Sequence, residues 1–158
     1  MLGAHDVFHV GRVVEDLDVA MRTIGENLSI TWAPVQLRAI AILTGCGEER
    51  DETIRFTYSA DGPPHVELIE IGPDSLWRPS SDAGLHHIGA FADDVTTPPG
   101  PGMDLEFGGR VDGRLGGFAY YTAPNGMRVE LVDASRRAGF AAWFAGGGLA
   151  PTRPVPDG

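Results

Sequence analysis

The chain has 158 residues, 42% of them hydrophobic, a formal net charge of −10 and a single cysteine. This length supports one domain with a real core, and the charge opposes nucleic acid or an anionic membrane as partner, since both need a basic surface. One cysteine, Cys46, leaves no intrachain disulfide. All 12 basic residues are arginine, so Schiff-base chemistry and a phosphate-loop lysine are both out of reach.

No apolar run is long enough to span a bilayer. "MLGAHDVFHV" lacks the basic region and apolar stretch of a secretory signal, so a cytoplasmic protein is expected. Residues 6–14 alternate and carry β-branched side chains, which predicts a strand. "EDLDVAMRTIGENL" follows, with Leu17, Ala20, Met21 and Ile24 at helical spacing and acids in the first turn. "LRAIAILTG", "ETIRFTYSA" and "HVELIEIG" predict three strands, separated by the turns "CGEERD" and "DGPP". The first half is thus β-α-β-β-β. The second half opens alike, with "LHHIGAFADDV". Where a second helix is due the chain has "TTPPGPGM", a proline density that no helix survives. "DLEFGGRV", "GFAYYTA" and "MRVELVD" complete three more strands. "ASRRAGFAAWFAGG" reads as a helix over about 134–147 with Phe140, Trp143 and Phe144 as its apolar face. Residues 148–158 read as a disordered tail.

The halves repeat. A shift of 78 residues places His9 on His87 and Gly11 on Gly89, and a shift of 63 places Glu67 on Glu130. The interval from His9 to Glu67 is 58 residues and that from His87 to Glu130 is 43; the missing 15 match one helix and its connection. Side chains alternate across a strand, so His65 shares a face with Glu67, and Arg128 with Glu130. If His9 and Glu67 face a cleft, the repeat brings His87 and Glu130 to it as well. Two neutral imidazoles and two carboxylates balance one divalent cation, and mixed N/O ligation suits Ni, Co, Zn, Fe or Mn. Such an ion stabilises developing negative charge on a substrate oxygen. His65 and Arg128 are candidate substrate contacts, Arg128 through a carboxylate. Of Tyr120 and Tyr121, which point opposite ways, one faces the pocket. His5 and His86 are read as structural residues, and Cys46 as non-catalytic.

"FHVGRVVEDLDVAM", "PPHVELIE", "GLHHIGAFADDV" and "PNGMRVELVD" together resemble the vicinal oxygen chelate superfamily, which includes glyoxalase I, methylmalonyl-CoA epimerase, extradiol dioxygenases and bleomycin-resistance proteins. The resemblance runs over residues 5–145. It implies an α+β fold: two βαβββ modules, about 5–73 and 84–134, form an open eight-stranded barrel-like sheet, with a C-terminal helix and the second module lacking its own. It places one divalent metal ion on His9, Glu67, His87 and Glu130. It also makes Glu130 the first and Glu67 the second candidate for catalytic base. The activity implied is isomerase, epimerase or lyase chemistry, through an enolate of a small carbonyl substrate held on the metal. Small-molecule sequestration, as in antibiotic resistance, and a tailoring reaction of secondary metabolism are the alternatives. "LRAIAIL" lacks the acid that the epimerase places there, which opposes a two-base mechanism. Glu67 opposes the two-His, one-carboxylate iron site of the dioxygenases. The expected partner is a small molecule, and the absent second helix leaves a face on which a homodimer is allowed.

Overall fold

The computed structural model describes residues 2–79 and 85–149. Eight strands and two helices follow in order: β1 (Val7–Val14), α1 (Leu17–Leu28), β2 (Gln36–Thr44), β3 (Glu49–Tyr58), β4 (His65–Glu70), β5 (Leu85–Ala92), β6 (Asp104–Val111), β7 (Arg114–Thr122), β8 (Arg128–Asp133) and α2 (Arg137–Phe144). The strands close in the order β1-β4-β3-β2-β6-β7-β8-β5. Each half contributes the same run. β1 pairs parallel with β4, and β5 parallel with β8. The halves meet where β1 and β5 run antiparallel, with His9 opposite Gly89 and Gly11 opposite His87.

The sheet was expected to stay open; it closes. The closing seam is narrow, Ile42 to Thr44 against Phe107 to Gly109. Residues 36–41 of β2 lie beyond that seam, and the wall parts there. β3 and β7 begin before the apolar runs that announced them. Glu49 to Asp51 pair with Leu43 to Ala41, so charged residues extend the ladder by backbone bonds alone.

α1 forms where its periodicity places it. Asp16 caps it by accepting from the Val19 amide at 2.9 Å, and Ser29 ends it in the left-handed region at φ 55°. Leu17 is buried against the barrel, and its amide donates to Glu70 at 2.8 Å. Arg55 ties the helix to the sheet through Asp18 and Glu70.

Among the described residues no helix stands between β5 and β6, as the proline run requires. The segment after β5 covers the barrel instead. Val95 is buried with Ala119, Tyr121 and Leu131, while Met103 and Leu2 pack alongside. The Tyr121 hydroxyl donates to the Val95 carbonyl at 2.9 Å. α2 is shorter than its expected span, and Ala134–Arg136 form a 3₁₀ turn before it. Phe140 and Trp143 are buried in the aromatic core, and Phe144 stacks on His65 with ring centroids 3.9 Å apart. Of the tail expected over 148–158, Leu149 is buried in the core and residues 150–158 lie outside the described ones. Among the described residues no helix is long and apolar enough to cross a membrane.

Candidate metal centre and its cavity

His9 and His87 lie on the two central strands, β1 and β5, and point inward from opposite halves. Glu67 and Glu130 come from the flanking parallel strands β4 and β8. Relative exposures are 0%, 1%, 4% and 6% for His9, His87, Glu67 and Glu130, so all four are withdrawn from water. The Nε2 atoms of His9 and His87 stand 2.7 Å apart. From His9 Nε2 to Glu130 Oε2 is 2.9 Å, and from His87 Nε2 to Glu67 Oε2 is 3.0 Å. One ligand atom from each residue fits within 4.8 Å of all the others. The pairing crosses between halves, as a pseudo-twofold axis demands.

Close approach needs glycine at two points. A Cβ on Gly89 would stand 1.8 Å from the His9 ring, and one on Gly11 would stand 2.0 Å from the His87 ring. Each imidazole crosses the backbone of the other half's strand. His-x-Gly therefore occurs twice for one reason.

Two buried carboxylates are costly without positive charge. Burial alone pushes His87 down, but the carboxylates of Glu130 and Glu67 overcome it and raise its pKa to about 9. Burial likewise pushes Glu67 and Glu130 up, and the imidazoles of His87 and His9 bring both below the usual carboxylate range. The Oε2 atoms of Glu67 and Glu130 are buried without a hydrogen-bond donor. Converging, under-satisfied O and N donors of this kind fit a divalent cation.

His86 has a definite place here. Its Nδ1 lies 2.8 Å from His87 Nδ1, and it is buried. Burial, then the neighbouring His87 and Arg128, lower its pKa to about 2, so it is neutral. A His87 that presents Nε2 to a cation carries its proton on Nδ1 and donates it to His86. His9 has no such partner; its Nδ1 is buried and unbonded. Packing between the Phe8 and Tyr58 rings and over Gly89 holds it instead.

Tyr58 was not among the residues singled out from the sequence. It pairs with Glu67 across β3 and β4, as Tyr120 pairs with Glu130 across β7 and β8. Its hydroxyl lies 3.4 Å from His9 Nε2. Burial, with Glu67 and Glu130, raises both phenols well above the ordinary value, so both stay protonated. The signal was present: "FTY" and "FAY" repeat at an offset of 62.

A cavity of about 470 Å³ opens from the quartet. Glu67, Glu130, Tyr58 and Tyr120 line it, with walls that include Phe56, Phe118 and Trp77. It runs along β8 from Glu130 to Val132, away from the start of that strand. That direction explains where the other expected contacts lie. Arg128, at the start of β8, forms a two-pronged pair with Glu106 at 2.7 and 2.8 Å and also donates to the Arg78 and His86 carbonyls. His65, at the start of β4, bonds the Ser59 carbonyl at 2.8 Å. Neither lines the cavity. Of the two tyrosines, Tyr120 faces it and Tyr121 faces out beneath Val95.

Paired modules around a pseudo-twofold axis, with the central strands antiparallel, make up the barrel. In fold the chain is similar to methylmalonyl-CoA epimerase from Mycobacterium tuberculosis, with a TM-score of 0.50 at 16% identity over 89% of this chain and 97% of that one. It is similar at a TM-score of 0.52 and 16% identity to a variant Streptomyces coelicolor methylmalonyl-CoA epimerase in complex with 2-nitronate-propionyl-CoA, covering 82% of this chain and 94% of that one. The same values hold for a methylmalonyl-CoA epimerase in complex with methylmalonyl-CoA and NH4+. At this identity the likeness establishes the fold. No family model matches the sequence, and no curated protein matches it significantly.

Proposed function

We propose that the chain is a metal-dependent enzyme that removes a proton beside the carbonyl of a small substrate, in an isomerisation, epimerisation or lyase reaction. The observation that carries this reading is the buried quartet with a cavity at its two glutamates. A divalent ion held by His9, Glu67, His87 and Glu130 supplies positive charge where an oxyanion develops. Glu130 takes the proton, with Glu67 as its counterpart in the other half. The protonated hydroxyls of Tyr58 and Tyr120 are donors for the substrate's oxygens, and the aromatic walls exclude water. Similarity in fold to epimerases supports the general reaction type and leaves the substrate open.

The test begins with metal. Untagged protein is offered Ni, Co, Zn, Fe and Mn in turn, beside His87→Ala. About one ion per chain, lost in the variant, is expected; failure to bind any of the five removes the reading. Deuterium wash-in from D₂O is then followed by NMR beside the carbonyls of methylmalonyl-CoA, 2-oxobutyrate and 2-oxoisovalerate. Exchange that Glu130→Gln abolishes while ligand binding persists supports Glu130 as base. Tight ligand binding without exchange, surviving metal removal, would favour sequestration, a role that the aromatic cavity also suits.

A further inference from the structure

The cavity holds positive charge that nothing in the proposed chemistry uses. Arg38, Arg110 and Arg136 all contribute to its lining. Arg110 is balanced by Asp51 at 3.4 Å and Glu49 at 3.6 Å. Arg38 and Arg136 have no carboxylate within ion-pair distance among the described residues. Arg38 donates to the side-chain oxygen of Gln36 at 2.7 Å and to the Leu149 carbonyl. Arg136 touches the face of Phe140, its guanidinium carbon 5.4 Å from the ring centroid. Tyr58, Glu130 and Asp133 act on it only from beyond pairing distance, and the amide of Ser135 already engages the Asp133 carboxylate. Burial disfavours the charge on Arg136 most, and Arg38 stands near enough to repel it further.

This arrangement is costly. An arginine does not escape burial by losing its proton, and a half-buried, unpaired guanidinium in an apolar wall lacks a counter-charge. The chain carries 22 acidic residues, and several neutralise other arginines: Glu52 for Arg50, Asp18 and Glu70 for Arg55, Glu106 for Arg128. Among the described residues Arg38 and Arg136 are left without a paired one, both at a single cavity. A ligand that brings a carboxylate supplies the missing charge, and two planar forks suit that group.

We propose that Arg38 and Arg136 form an anion subsite, and that the cavity's ligand is a small free carboxylic acid whose apolar body packs between Phe56, Phe118 and Trp77 and whose carbonyl end reaches the quartet. The inference rests on the metal-site reading only for that last placement. A free acid is favoured over a nucleotide thioester by the number of cations. Polyphosphate recognition needs several unpaired ones; of the three arginines in the lining Arg110 is neutralised, which leaves two, and lysine is absent. The volume of about 470 Å³ sits in the range of ordinary small-ligand sites.

The test uses three acid and ester pairs: benzoylformate, phenylacetate and 2-oxoisovalerate, each beside its methyl ester. Affinities are measured by calorimetry on metal-loaded and metal-free protein, with methylmalonyl-CoA as the thioester probe. At least one acid is expected to bind ten times or more tighter than its ester. Arg136→Gln and Arg38→Gln should each erase that preference by about tenfold or more, leaving ester binding unchanged. Equal affinity for acid and ester in all three pairs overturns the subsite, as does a preference that survives both variants. Methylmalonyl-CoA binding tighter than every free acid overturns the choice of ligand class. Acid preference in a protein that takes up no metal would leave the subsite standing and remove the catalytic reading, so the two fail separately.

Discussion

The His9 imidazole lies directly over the backbone of Gly89, so that a Cβ there would fall 1.8 Å from its Cε1. His87 and Gly11 repeat the relationship at 2.0 Å. The two central strands hold the two histidines because each leaves the other's ring a gap. Gly89→Ala must therefore move a buried ring or a central strand, at about 1–3 kcal/mol for overpacking. Metal uptake should fall to near zero. Gly139→Ala is the control, since a Cβ at this half-buried position of α2 meets nothing within 4 Å; it should be neutral or slightly stabilising. Melting curves and metal analysis check both, and full metal content in Gly89→Ala would remove the argument.

His86 sets the tautomer of one ligand by accepting from His87 Nδ1 at 2.8 Å. The first half has Phe8 at the corresponding position, and His9 Nδ1 has no such partner. His86→Phe converts the second arrangement into the first. Metal affinity should drop by about 10- to 100-fold, the usual cost of losing such a partner. Competition against a chelator measures this directly. An unchanged affinity would return His86 to a purely structural role.

Much of this centre was legible in the sequence because it is built twice. The order His then Glu, present in each half, pointed with strand parity and the family resemblance to His9, Glu67, His87 and Glu130 at one point. Parity did not suffice for His65 and Arg128, which share a face with the glutamates. A strand face extends over the whole barrel, whereas the cavity occupies only the part beyond Glu67 and Glu130. Direction along the strand decides, and alternation carries no information about it. Tyr58 was hidden because aromatic residues in a strand read as core, which Tyr58 also is. Sheet closure depends on a seam of three strand positions between the halves, too local for periodicity to reveal.

Metal uptake should release a proton. In the metal-free chain His87, raised to about 9, is protonated at neutral pH and partly balances Glu67 and Glu130. A cation takes its place, because a ligand nitrogen must be neutral. Apparent metal affinity should rise with pH up to about 9 and level off above it. The stability of the metal-free chain runs the other way. A pKa raised from 6.5 favours the folded state fully below 6.5, and the contribution is lost as pH climbs through about 9. Denaturant melts of chelated protein at pH 6 and pH 9 check the second trend, and calorimetry in buffers of different ionisation enthalpy checks the proton. Uptake without proton release between pH 6 and 8 would show that His87 is already neutral.

Tyr58 and Tyr121 separate site from scaffold. Both are buried phenols, on opposite faces of the barrel wall. The Tyr121 hydroxyl donates to the Val95 carbonyl and anchors the segment that stands where a helix was due. Tyr121→Phe leaves that carbonyl without its donor, at about 1–3 kcal/mol, and should lower the melting temperature with metal and ligand binding intact. The Tyr58 hydroxyl bonds no backbone group; it lies 3.4 Å from His9 Nε2, on the cavity wall. Tyr58→Phe should leave the melting temperature within about 0.5 kcal/mol of the parent in stability, the scale of a substitution that orphans no partner. It should slow deuterium exchange on an acid substrate by about tenfold or more, through loss of a donor to the developing oxyanion. The second arm decides: exchange at the parent rate in Tyr58→Phe would confine the tyrosine to packing and leave Tyr120 as the remaining phenol at the quartet.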